Sequence, residues 1–176
     1  SNIIVNGNTI VGNVDAGVFL WLTNNTQVNG NDVSANGGPG ISIGYKSLNN
    51  TIIYNTVSNN AHEGISLGWE NSTDNRIIGN NITHNVWAGI YIVWSTVSDN
   101  EFYHNNLDNE LQVTSGSIDA LNIWDNGYPS GGNYWSDYAG IDSDGDGIGD
   151  TPYIIDANNR DNYPFMNPWS QQAHDI

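Results

Sequence analysis

The chain has 176 residues, the length of one domain, with 19 acidic residues against three Lys and Arg and a formal net charge of −16. That charge excludes nucleic acid and anionic membrane surfaces as partners, since both need clustered Lys and Arg, and leaves cations as the natural ones. No apolar run approaches the roughly 20 residues that cross a bilayer, so no membrane insertion is expected. Without cysteine, disulfides and thiolate metal sites are out. Ser1-Asn2-Ile3-Ile4 is not a signal peptide, and the chain reads as a mature or excised product.

From the N-terminus the sequence repeats. Asn8, Asn31, Asn55, Asn80 and Asn100 form one column, and Asn13, Asn36, Asn60, Asn85 and Asn105 follow five residues behind. Val5, Val28, Ile52, Ile77 and Val97 precede the first column. Ile10, Val33, Val57, Ile82 and Phe102 follow it. Gly17, Gly40, Gly64 and Gly89 then open alternating runs such as Ile41 with Ile43 and Ile65 with Leu67. Short period-2 runs are strands with one buried face, and a repeat holding two or three of them closes a core only by stacking. The pattern predicts an all-β parallel β-helix, a solenoid of about five to six coils rising about 4.8 Å each. Asn is expected at the bends for its tolerance of left-handed backbone and in ladders along the stack; the glycines are expected to turn with positive φ. In the fifth coil Asn109 stands in for the glycine, and Leu111 and Val113 carry the alternation one residue late.

Residues 1–114 are therefore read as coils and 115–176 as an irregular C-terminal cap, the two forming one continuous unit. The cap holds four of the five prolines and many aromatics, and it covers a strand edge that would otherwise be open. Within it, Asp142, Asp144, Asp146, Gly147 and Asp150 spell D-x-D-x-D-G-x-G-D. Ca2+ takes six to eight hard oxygens. Such a loop offers acids at positions 1, 3 and 5, the Ile148 carbonyl at 7 and Asp150 at 9. Tyr153 occupies position 12, where an EF-hand has Glu, so Asp156 or Asp161 is expected to complete the shell, with Asp137 a weaker candidate.

These columns, with Gly132-Asn133-Tyr134-Trp135-Ser136-Asp137-Tyr138 and the run Asp142 to Tyr153, resemble the NosD-like parallel β-helix repeat proteins of archaeal cell surfaces. The resemblance spans essentially the whole chain. It implies a right-handed helix, export from the cytoplasm and Ca2+ in the tail. The namesake assists copper-site assembly, a role that nothing in these residues carries over.

Other constellations are weaker. His84 and His104 share a column in this alignment, which would suit a transition metal, but no third ligand joins them. Glu63 and Asp108 fall in one column two coils apart, near the spacing of an inverting glycosidase pair, yet Ala88 lies between them. Trp69, Trp87, Tyr91 and Trp94, with Phe19, Trp21 and Tyr45, form an aromatic face suited to sugar, to a protein partner or to packing. Asn24, Asn49, Asn71 and Asn81 head N-x-[ST] sequons, the first three in turns.

Together these features predict a non-catalytic extracellular or cell-surface structural protein, stabilised by Ca2+. Its partners are copies of itself stacked head to tail, or a longer parent solenoid. The competing expectation is a module that binds or modifies polysaccharide. The discriminator is a groove pairing carboxylates with aromatics.

Overall fold

The computed structural model describes residues 2–94, 96–116 and 120–171; Ser1, Ser95, 117–119 and 172–176, the last two stretches falling in the expected cap, lie outside the described residues. Five coils of three short strands follow one another. The first holds β1 (Ile4–Asn6), β2 (Thr9–Val11) and β3 (Val18–Trp21), and the second β4 (Gln27–Asn29), β5 (Asp32–Ser34) and β6 (Ile41–Gly44). The third holds β7 (Thr51–Ile53), β8 (Thr56–Ser58) and β9 (Ile65–Leu67), and the fourth β10 (Arg76–Ile78), β11 (Asn81–Thr83) and β12 (Ile90–Ile92). The fifth holds β13 (Glu101–Tyr103), β14 (Asn106–Asp108) and β15 (Val113–Ser115). Beyond them come β16 (Tyr134–Trp135) and a hairpin of β17 (Tyr153–Ile154) and β18 (Arg160–Asp161). Like strands pair in parallel into three sheets: β1-β4-β7-β10-β13, β2-β5-β8-β11-β14-β16 and β3-β6-β9-β12-β15. The fold is an all-β parallel β-helix, as the repeat requires.

The first two sheets each turn one apolar column inward, and the third turns two, the second being Leu20, Ile43, Leu67 and Ile92. Val28, Ile52, Ile77 and Phe102 line the first, Val33, Val57, Ile82 and Leu107 the second, and Ile41, Ile65 and Ile90 the third, all fully buried. At the C-terminal end aromatics close this core. Trp124 stacks on Phe102 at 4.4 Å, and Trp135 extends the second column beyond Leu107 and stacks on Tyr153 at 4.1 Å. Strand β16 thus continues the second sheet into the segment read as cap.

Asn31, Asn55 and Asn80 lie in one continuous file, and buried Asn residues tie the coils at each bend. Asn55 donates both its backbone N–H and Nδ2 to Asn80 Oδ1, at 3.0 and 2.9 Å, while the same Nδ2 reaches back to the Val28 carbonyl at 3.0 Å. One amide therefore joins three coils with every buried polar atom satisfied. Three such ladders run along the helix. The first is Asn8-Asn31-Asn55-Asn80-Asn105-Asn133, and the second is Asn13-Asn36-Asn60-Asn85-Asn109. The third, Thr26-Asn50-Asn75-Asn100-Asn122-Asn159, is absent from the alignment made on the sequence alone.

Three expectations are corrected here. The fifth coil is shifted by five residues: Ile77 pairs with Phe102 and Ile82 with Leu107, so Asn100 and Asn105 belong to the third and first ladders. Asn109 accordingly continues the second ladder, while Gln112 takes the glycine position beside Gly89. At the ladders the left-handed residue is not the Asn but the one just before it, as at Tyr54, Asn59, Asp74 and His84, while Leu22, Tyr45, Lys46, Trp69 and Asn71 are left-handed away from them. Finally, Gly40 and Gly64 do not have positive φ. They are glycines for want of space, since a Cβ on Gly64 would lie 2.5 Å from Ile82 Cγ2 and 2.8 Å from the Gly89 carbonyl.

Candidate functional site

The acidic loop leaves the end of the helix after β16. Oxygens of Asp142, Asp144 and Asp146 lie within 4.8 Å of one another. The loop is shaped by its own backbone. Gly145 N–H donates to Asp142 Oδ1 at 2.7 Å, Gly147 N–H to Asp142 Oδ2 at 2.9 Å and Ile148 N–H to Asp146 Oδ1 at 2.8 Å. The Gly147 amide above all holds the Asp142 carboxyl below its ordinary range. Gly145 and Gly147 both have positive φ, at 77° and 89°, which a side chain would strain. Asp150 accepts the Ser143 amide at 3.0 Å and closes the loop. The Tyr128 hydroxyl faces Asp146, which raises the phenol pKa.

The loop is fastened to the helix. Ile148 pairs with Phe165, and Phe165 pairs with Tyr134 of β16, so one short run of backbone links the acids to the second sheet. Gly149 N–H donates to the Pro164 carbonyl and Met166 N–H to the Gly147 carbonyl, flanking that bridge. The Ile148 carbonyl itself accepts no hydrogen bond among the described residues. Ile148 is buried while Asp144, Asp146 and Asp150 are exposed.

Asp156 and Asp161 stand elsewhere. Asp161, fully buried, accepts Asn133 N–H at 2.7 Å, Trp135 Nε1–H at 2.9 Å and Tyr163 N–H at 3.0 Å. Asp156 accepts the Asn159 backbone N–H at 2.9 Å and its Nδ2 at 2.9 Å and 3.0 Å. Both sit at the C-terminal ends of Asn ladders. Every rung donates towards the C-terminus, so the last Asn of a ladder needs an acceptor that has nothing further to donate. An ionised carboxylate is such a group. Asp161 ends the first ladder and Asp156 the third, while Gln112 Oε1 takes the Asn109 N–H at 3.1 Å in the second. The loop acids cluster, whereas these two carboxylates serve the fold. Asp137 is likewise engaged, accepting the Tyr153 hydroxyl at 3.1 Å.

The aromatic face is real and uneven. Trp69, Tyr91 and Trp94 line one cavity of about 360 Å³ on the third sheet, together with Pro39, Ser42, Glu63 and Ser66. Trp21 stacks on Tyr45 at 5.4 Å and meets Trp69 edge-on at 5.6 Å. Trp87 stands apart, stacked on His62 at 4.2 Å. The sequon residues Asn24, Asn49, Asn71 and Asn81 are all exposed, Asn81 on β11 rather than in a turn. The corrected register separates two pairs. His84 lies in the column of Asn59 while His104 lies in that of Gly79, and Asp108 pairs with Thr83, far from the Glu63 column.

Three parallel sheets stacked around an aliphatic core, with an acid-rich loop fastened at one end, define a repeat solenoid of the parallel β-helix class. The family described as periplasmic copper-binding protein (NosD) matches residues 1–140, and the chain belongs to that family. Comparison with curated proteins gives no match. The family is periplasmic, which places the chain outside the cytoplasm, and among the described residues no helix is long and apolar enough to cross a membrane. The acidic loop lies beyond the matched span. Copper favours imidazole and sulfur donors. Among the described residues the one group of three His, Cys, Asp or Glu side chains is the all-carboxylate Asp142, Asp144 and Asp146, so the residues present do not fit that metal. His62 is stacked on Trp87, and His104 Nε2 lies 2.8 Å from the Ser130 carbonyl.

Proposed function

We propose that the chain is a non-catalytic extracellular structural protein, a β-helix cell-surface or filament subunit whose C-terminal end is pinned by Ca2+. The observation that carries this reading is the fastening of the three-Asp loop to the second sheet through Ile148, Phe165 and Tyr134. Three carboxylates that repel one another when bare would hold a hard cation with the Ile148 carbonyl, and Asp150 would act directly or through water. The ion supplies charge neutralisation, and the chain does the rest by holding Asp142 with two glycine amides. The exposed sequon asparagines are compatible with a glycosylated surface protein.

Association of copies rests on the first coil, where Ile3, Ile4, Val11 and Val14 are exposed. A copy docking there head to tail would gain apolar and strand-edge contacts but no ladder bond, because Asp156, Asp161 and Gln112 already take the last donors. The ladders therefore favour a partner coil that brings its own Asn donors, as a longer parent solenoid would. Light scattering that finds only monomer at high concentration with Ca2+ present would remove the filament form.

The calcium reading is tested by melting the protein in millimolar Ca2+ and in EGTA. Ligand at about 100 times its Kd adds about 2.7 kcal/mol, which in a chain of this size raises Tm by about 5–10 °C. Asp144→Asn, at an exposed position, abolishes that rise without lowering Tm in EGTA. Equal melting in both buffers, with no heat on titrating Ca2+, would overturn it.

A further inference from the structure

On the outer face of the third sheet the middle positions of β3, β6, β9 and β12 are Phe19, Ser42, Ser66 and Tyr91. Two small residues thus lie between two large ones, three coil rises or about 14 Å apart. In the next row Gly68 lines the same cavity, while the Trp21 and Trp69 rings lie over Gly44. The result is a trough along the helix axis. It comprises the cavity of about 360 Å³ and a second of about 290 Å³, which share Pro39 and Ser42. Trp69 and Trp94 form one wall, 53% and 49% exposed, with nothing stacked on their outer surfaces among the ring contacts of the described residues. Glu63 lies in the opposite wall, 4% exposed as a residue, and its carboxylate oxygens are not among the buried atoms without a partner, so they open onto the cavity. Ser66 Oγ bonds Ser42 Oγ at 3.1 Å on the floor.

We propose that this trough binds a neutral oligosaccharide of two or three sugar rings. Ring C–H faces would stack on Trp69, Trp94 and Tyr91, and sugar hydroxyls would donate to the Glu63 carboxylate and exchange hydrogen bonds with Ser42 and Ser66. A length of about 14 Å suits two or three pyranoses in a row. The net charge of −16, with Glu63 in the wall, works against a uronic-acid chain. A cationic ligand is disfavoured at the adjoining aromatic edge, where Lys46 Nζ already lies 5.0 Å over the Tyr45 ring. The site is independent of the calcium loop, so either reading can fail alone.

The test is affinity electrophoresis of the whole chain, with Ca2+ present, through gels containing dextran, mannan, galactomannan or hydroxyethylcellulose, with alginate as the anionic comparison and choline as a soluble competitor. Retardation by at least one neutral polymer is expected, and none by alginate. Trp69→Ala and the near-isosteric Glu63→Gln each weaken that retardation roughly tenfold. Ile141→Ser, at an exposed position in the cap, leaves it unchanged. Glu63→Gln preserves shape, so its loss of binding with an unchanged melting curve separates ligand contact from misfolding. Migration unaffected by all four neutral polymers, equal binding by every variant, retardation by alginate, or displacement by choline would each overturn the proposal.

Discussion

From Asn31 to Asn85 each coil repeats one arrangement, with an aliphatic residue inward on each sheet, an Asn at each bend and a glycine where the second ladder passes close. Beyond Asn105 the same columns carry Trp124, Trp135 and Tyr153, and the ladders stop on Asp156, Asp161 and Gln112. In the middle, every rung is both donor and acceptor to identical neighbours, so one residue type solves every layer. At the end no next layer exists. Larger rings must cover the core, and acceptor-only groups must receive the last N–H. Repetition fixes the middle; termination needs different chemistry.

The sharpest way to break the middle is Gly64→Ala. A methyl 2.8 Å from the Gly89 carbonyl meets backbone that cannot move aside without shifting a coil. The expected loss is about 3 kcal/mol or more, read from urea unfolding. Gly12→Ala is the matching control. Its φ is +70°, but nothing lies within 4 Å of the new Cβ, and Ala35 already occupies that column at a φ of 50°, so a cost of about 1 kcal/mol is expected.

A smaller effect distinguishes rungs within one kind of ladder. Asn80→Ala strands the buried backbone N–H of Asn55, removes the side-chain rung on each side and leaves a cavity between coils, for an expected loss of about 3 kcal/mol. Asn13→Ala at the exposed first coil removes only one side-chain donor to Asn36 and should cost under about 1 kcal/mol. Equal losses in the same urea titration would contradict the reading of the ladders as three-coil ties.

The cap has its own signature, in pH. Burial pushes the Asp161 carboxyl up to about 6, although Asn133, Trp135 and Tyr163 favour its charged form. In the unfolded chain an Asp titrates near 3.9. Between these values the native state holds more protons than the unfolded state. This group's contribution is therefore fully present below about pH 4 and is lost as pH rises through about 6, amounting to about 3 kcal/mol. Unfolding free energies measured from pH 4 to 8 should show that slope in the wild type and a flatter profile in Asp161→Asn. An unchanged slope would place the titration elsewhere.

The sequence determined the solenoid, its stacked aliphatic columns, the first four coils in register and the spacing of the acidic loop. Each follows from local periodicity or from a motif contained in a few consecutive residues. It could not fix the fifth coil, because Asn50, Asn55 and Asn60, like Asn75, Asn80 and Asn85, lie five apart on three ladders. A slip of five residues lays Asn on Asn, and only a steady interval of 24 or 25 residues favours Asn105 over Asn100. Nor could it tell Asp161 and Asp156 from the loop acids, since a carboxylate has the same identity whether it faces an ion or ends a chain of amides. The direction in which the ladders donate, and the meeting of Glu63 with Trp69 and Trp94 across one trough, exist only once the coils are stacked, because they depend on contacts between residues a full turn apart.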